Sequence, residues 1–175
     1  MAFRIGRTYA RHTYPEGPKG LSAAFARNSA FGPQGGTQAI PASGGTKIIW
    51  NAMEVGSAGA TAVPITPKVT GIVRAIVTVV AVNSTGASDD IAVQFVVDGA
   101  PVGGGATIST VPATLEGQDS AITIPLTFDF ADAQAMSVGT THTVEVLVTS
   151  VLGVSGKSVL GLSSIDLQEL PAATG

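Results

Sequence analysis

Not one of the 175 residues is a cysteine. Disulfide staples, thiolate zinc sites and cysteine nucleophiles are excluded with it. Histidine is almost as scarce: His12 and His142 alone leave little for an imidazole metal centre, and neither a metal nor any other cofactor is expected. Charge is thin as well, at 12% of the chain against about 25% in an average domain. Much of the surface must then be neutral Ser, Thr, Gly and Ala. A free monomer ordinarily keeps charged groups outside for solubility, so this composition points to a surface covered by other subunits. Long apolar runs are also missing. None reaches the roughly 18 residues of a membrane helix, and no membrane partner is expected. The opening MAFRIGR carries no apolar core of a secretory signal.

What is present is β-branched and unevenly charged. Val, Thr and Ile abound, which favours strands, and most of the 22 glycines and 10 prolines fall between apolar runs. Residues 1–47 hold six cations (Arg4, Arg7, Arg11, Lys19, Arg27, Lys47) against Glu16, a net of +5; residues 48–175 hold three cations against eleven acids, a net of −8. Such a split marks two parts meeting two environments. The stretch GRTYARHTYPEGPKGLSAAFARNSAFGPQGG (6–36) is too rich in Gly and Pro to sustain a helix or strand. Five of the nine aromatic residues nevertheless lie in this first part: Phe3, Tyr9, Tyr14, Phe25 and Phe31. A disordered linker lacks aromatics, whereas aromatics and arginines are enriched at the energetic centres of interfaces. Residues 1–46 are therefore expected to form an extended N-terminal arm that gains order on a partner. Phe3, Tyr9, Tyr14, Phe25 and Phe31 would be its anchors, and Arg4, Arg7, Arg11 and Arg27 would pair with carboxylates. Six cations spread over 47 residues with no two adjacent argue against a nucleic-acid packaging arm, whose binding would rest on phosphate neutralisation.

From Ile48 onward the pattern is that of strands. IIWNAMEV (48–55) is the first, and Pro64 and Pro67 confine VPITPKVTG (63–71) to an edge or turn. TGIVRAIVTVVAV (70–82) is apolar on both faces, as a sandwich interior or a subunit interface would require. DIAVQFVVDG (90–99) alternates and ends in the Asp98-Gly99 hairpin signal. PVGGG reads as a turn before a short strand, ATISTV (106–111). SAITIPLTFDF (120–130) alternates around Pro125, the mark of an edge strand or bulge. The 131–141 connection has room for one helical turn. HTVEVLVTSVLG (142–153) and KSVLGLSSIDLQEL (157–170) close the domain, with a bulge expected near Ser163-Ser164 where the apolar phase slips. About eight strands with turn signals roughly every ten residues define an all-β sandwich or barrel. The domain spans 47–171, with a short tail at 172–175.

No catalytic constellation can be assembled, and the chain reads as a non-enzyme. Asp89-Asp90 is read as a charged loop before a strand. Asp129 and Asp132 lack the six or more oxygen ligands of a calcium site, His142 reads as a turn-capping or exposed residue, and PVGGGA lacks the Lys-Ser/Thr of a phosphate loop. Trp50, beside Ile48, Ile49 and Met53, reads as a core or interface aromatic. Ile72, Ile76, Val80, Ile165 and Leu167 belong either to the core or to an oligomer contact.

The stretch ITPKVTGIVRAIVTVVAVNSTGASDDIAVQFVVDGAPV (65–102) resembles the central strands of the trimeric C1q/TNF-like jelly roll. Pro67, Gly71 and Ile72 match the entry into the long apolar strand, and Val97, Gly99 and Val102 match the hairpin after it. Residues 138–170 look like the family's last two strands. The resemblance implies an antiparallel jelly-roll sandwich and a homotrimer with the final strand at the three-fold contact. A cysteine-free, Ala/Gly/Thr/Val-rich chain with a leading arm is also similar to decoration (cement) and head-fibre proteins of tailed bacteriophages. That similarity implies a structural protein on the capsid's outer surface, binding neighbouring major capsid protein subunits through the arm. The alternative it leaves open is a receptor- or glycan-binding jelly-roll module of a tail spike or fibre.

Overall fold

The alternation of side chains sets the layers. In the strand Val73–Asn83, every odd residue from Val73 to Ala81 is fully buried, while Arg74, Ile76, Thr78 and Val80 point the other way. Repeated in strand after strand, this period of two gives each sheet one inner face. The computed structural model describes residues 25–113 and 119–172. Among these residues the strands are β1 (Arg27–Pro33), β2 (Thr37–Ile40), β3 (Gly45–Lys47), β4 (Trp50–Met53), β5 (Val63–Ile65), β6 (Val73–Asn83), β7 (Asp89–Val97), β8 (Ala100–Val111), β9 (Ser120–Phe130), β10 (His142–Ser150), β11 (Lys157–Leu160) and β12 (Ser164–Glu169). A single 3-10 turn, Asp132–Gln134, sits in the 131–141 connection. Among the described residues there is no α-helix, hence no helix long and apolar enough to cross a membrane.

The strands form two antiparallel sheets. One runs β2-β11-β6-β12-β1-β4, with β9 on the free side of β6; the other runs β3-β10-β7-β8, with β5 also on β10. The pairings are nested along the chain. β7 pairs with β8, β6 with β9, β3 and β5 with β10, and β1 and β2 with β12 and β11. A long hairpin rolled so that its two arms alternate between facing sheets has this pairing, and it is the jelly-roll topology. Trp50, Phe95, Phe130, Ile48, Ile124 and Ile165 fill the space between the sheets. Phe130 meets the Phe95 and Phe128 rings edge-on at 6.0 and 5.0 Å between centroids.

Three sequence expectations need correction. The sandwich begins at Arg27 rather than at 47: β1, β2 and β3 lie within the stretch assigned to the arm. β1 is an inner strand hydrogen-bonded by β12 on one side and β4 on the other. Its inward residues Asn28 and Ala30 are small or polar and give no strong apolar signal, so pairing overrides a weak local propensity. Phe25, Arg27 and Phe31 thus belong to the domain, whereas Phe3, Arg4, Arg7, Tyr9, Arg11 and Tyr14 lie outside the described residues. Second, PVGGG is strand, not turn. Opposite β7 the register passes from Gln94↔Ala106 to Val96↔Pro101, so β8 takes extra residues as a bulge, and Gly104 at φ 80 bends where a side chain would be strained. Third, the slip near Ser163-Ser164 is wider than a one-residue bulge. Val159 faces Ala81 and Ser164 faces Thr78, and the Ser163 hydroxyl accepts the Val80 N–H left without a strand partner (2.9 Å).

Candidate functional site

The outer face of the larger sheet is the most distinctive surface of the domain. Cross-strand register aligns its residues in rungs across β1, β12, β6 and β9. One rung is Arg27–Gln168–Arg74–Asp129, the next Ser29–Asp166–Ile76–Thr127, and the third Phe31–Ser164–Thr78–Pro125. Polarity changes from rung to rung. On the first, Arg74 grips Asp129 with both arms of its guanidinium, Nε to Oδ1 at 2.7 Å and a terminal nitrogen to Oδ2 at 2.8 Å. That fork holds the Asp129 carboxyl below the usual carboxylate range. Arg27 reaches Asp166 more loosely, at 3.4 Å. The third rung and Ile76 are apolar or neutral, with Phe31 56% and Ile76 42% exposed and Thr78 and Ser164 half-buried. Between them runs a shallow cavity of about 240 Å³ floored by Ile165. Val80, on the same side of β6, and Ile72, just before the strand, are half-buried.

The interface-or-core set therefore divides. Trp50, Ile165 and Leu167 are core, while Ile76 and Val80 lie on the outward side of β6, with Ile72 just before the strand. Phe31 joins that outer patch. Arg27 does pair with a carboxylate, but with Asp166 of its own chain.

A second feature lies where the leading segment meets the domain. Glu169 is in phase with Ile165 and Leu167 on β12 and is buried with them. Its carboxylate accepts N–H bonds from Ala26, Lys68, Val69, Thr70 and Gly71, four of them at 2.7–2.9 Å and that from Gly71 at 3.2 Å. Burial pushes this carboxyl up, but the converging amides outweigh it and bring the pKa down to about 2. Asn28, equally buried, stitches the neighbouring loops: its amide nitrogen donates to the Val55 and Pro64 carbonyls, and its oxygen accepts the Val55 N–H. Beside these clamps opens a groove of about 470 Å³ lined by Phe25, Arg27, Val55, Pro64, Thr66 and Lys68, among others.

Asp89, Lys157, Asp98 and His142 are occupied structurally. Asp89, read as a loop residue, is buried at the start of β7 with Lys157, 3.5 Å away and equally hidden. Asp89 accepts the Leu152 N–H (2.9 Å) and the Ser150 hydroxyl, and Lys157 donates to the Val154 and Ser155 carbonyls. Burial raises the Asp89 carboxyl, and these donors and the ammonium more than reverse it, leaving it low. His142 accepts the Ser137 N–H at Nε2, so Nδ1 carries the hydrogen given to Asp98, 2.7 Å away. Burial raises Asp98, but the Thr143 N–H and His142 hold it below the usual range. Among the described residues no three His, Cys, Asp or Glu converge as a metal site. Sequence reasoning missed Glu169, Asn28 and Lys157. The signal was a polar residue in phase with buried apolar ones, as in Ile165, Leu167, Glu169.

The architecture has counterparts among solved structures. Its structural neighbours include an Eiger TNF and APRIL. An Eiger TNF from S. frugiperda superposes with a TM-score of 0.45 at 14% identity, over 87% of this chain and 96% of that one. Murine APRIL superposes with a TM-score of 0.40 at 11% identity, over 82% of this chain and 99% of that one. No protein-family model matches the chain, and no curated protein matches it.

Proposed function

We propose that this chain is a structural, non-catalytic protein of a tailed-bacteriophage virion, decorating the outer surface of the capsid. In this reading its leading segment binds neighbouring major capsid protein subunits, and the outer face of the larger sheet joins three copies into a homotrimer. The observation that carries the reading is the contrast between two parts of one chain. The sandwich is poor in charge and leaves Phe31 and Ile76 uncovered. Among its described residues, Arg27, Lys47, Arg74 and Lys157 are engaged by the sandwich's own carboxylates. Residues 1–24 bring four cations against one acid, with Phe3, Tyr9 and Tyr14 interspersed. Those residue types suit a protein interface, and net positive charge suits an acidic partner.

Reach and cost support the same reading. Fully extended, ~24 residues at ~3.3 Å each span about 80 Å, enough to leave one subunit and contact the next. Fixing them on a partner costs about 1–2 kcal/mol per residue, which only a large contact could offset, on the order of 1,000–2,000 Å² of apolar area at about 25 cal/mol per Å². The protein's role would be mechanical, clamping adjacent capsomers.

The test is co-sedimentation with undecorated capsids of the full chain and of a chain lacking residues 1–24. Every described strand starts at Arg27 or later, so the shortened chain is expected to keep its circular dichroism and oligomeric mass and to lose capsid binding. Full occupancy by the shortened chain would refute the proposal. Removing residues 1–46 would be the wrong experiment, because it deletes β1 from the interior of a sheet.

A further inference from the structure

We infer that the groove at the root of the leading segment binds an acidic, partly apolar peptide segment of a protein partner. The inference rests on the reading above that the leading segment meets such a partner, and it adds a second contact point on the folded domain. The floor is apolar: Val55, 55% exposed, lies with Pro64 and Ile65. The rim is cationic. Lys68 makes no ion pair among the described residues, and Arg27 keeps most of its side chain in solvent beside its long contact to Asp166. Among the described residues no carboxylate lines the groove. An extended segment carrying acids beside an apolar side chain would satisfy both features, the apolar group displacing water from Val55 and the acids meeting the two cations.

The walls are also held in place before anything binds. The bend at Val55 and β5 at Pro64 are tied together by buried Asn28, and the Lys68 N–H is fixed by buried Glu169 at 2.8 Å. A preorganised wall loses little entropy on binding. Thr66 and Thr141 close one side through their paired hydroxyls at 2.8 Å. Two other occupants are disfavoured by charge. The chain's own residues 1–24 are net positive and would be repelled by Arg27 and Lys68. The acids of a second copy's outer face, Asp129 and Asp166, are already engaged by arginines.

The test uses the full chain and a fluorescent peptide of the pattern Gly-Asp-Leu-Asp-Leu-Gly, beside its Asn-for-Asp counterpart. The acidic peptide is expected to bind saturably, to weaken with salt, and to shift the amide resonances of Val55, Thr66, Lys68 and Thr141. Lys68→Glu should weaken it by about tenfold or more, the loss of roughly 1.4 kcal/mol, without altering the circular dichroism. Equal binding of the neutral peptide, or shifts confined to other residues, would overturn the inference. A photo-crosslinker in place of Val55 adds a second readout. Crosslinks to residues 1–24 of the same chain, or to a second copy, would give the groove another occupant and overturn it too. Peptide binding that survives while the full chain fails to coat capsids would sink the virion reading and leave the groove standing.

Discussion

Glu169 offers the sharpest test of how the domain is held together. Replacing it with Gln keeps its size and removes one acceptor. If the Gln oxygen keeps the Val69, Thr70 and Gly71 amides, its NH2 group is left facing the Ala26 and Lys68 N–H groups that Oε2 now accepts at 2.9 and 2.8 Å. Two buried donors without partners cost about 1–3 kcal/mol each. The depressed pKa leads to a similar figure: a fall from 4.5 to about 2 corresponds to roughly 3 kcal/mol of folded-state preference for the ionised form. Glu169→Gln should therefore destabilise the domain by about 3–4 kcal/mol. At an m-value of about 2 kcal/mol/M, the urea midpoint would drop by about 1.5–2 M at fixed protein concentration. Hydrogen exchange should accelerate first at Val69, Thr70 and Gly71. The pH dependence follows in sign. Because the folded pKa lies below the unfolded one, the contribution is fully present above about pH 4.5 and is lost as the pH falls toward about 2. Wild type and variant should thus converge in stability on acidification. A midpoint within about 0.3 M of wild type at neutral pH, or a gap that does not close in acid, would refute the reasoning.

Three further outcomes are expected. Gly71 sits at φ 72 with Met136 O only 2.1 Å from where a Cβ would stand, whereas Gly99, at φ 83, has nothing within 4 Å. Gly71→Ala should cost at least about 3 kcal/mol and Gly99→Ala about 1–2 kcal/mol; equal losses in thermal unfolding would contradict this. Lys157→Met leaves the buried Asp89 charge uncompensated and should cost about 3–5 kcal/mol. Adding Asp89→Asn should recover part of that loss, and a double variant weaker than the single would count against the ion pair. Phe31→Ser with Ile76→Ser should reduce the sedimentation mass to that of a monomer at unchanged circular dichroism, each buried apolar side chain being worth about 1.5–3 kcal/mol. An unchanged mass would remove the outer face as the subunit contact.

The sequence was legible where burial is one-sided and periodic. The alternation in 90–97 and 120–130 and the β-branched run before Asn83 located β7, β9 and β6, because side chains of a strand must point alternately inward and outward. Pro125 marked β9 as an edge or a bulge, since a proline cannot donate to a ladder, and pairing with β6 alone among the described strands makes it an edge. The run 70–82, apolar on both faces, left Ile72, Ile76 and Val80 open between core and oligomer contact, and only the fold turned them outward.

Other features were decided only by tertiary contacts. β1 carries Ala, Asn and Ser where a free strand would need bulk, and it exists because β12 and β4 offer backbone partners on both sides. The rungs joining Phe31 to Pro125 are set by register between strands far apart in the chain, which no local pattern encodes. Glu169 and Lys157 became buried ions because five amides and one carboxylate converge on them from other elements. Local periodicity can say which face of a strand is apolar. Which strands meet, and which polar groups they enclose, depends on long-range pairing, and the outer face, the groove and the buried charges of Glu169, Asp89 and Lys157 exist only at that level.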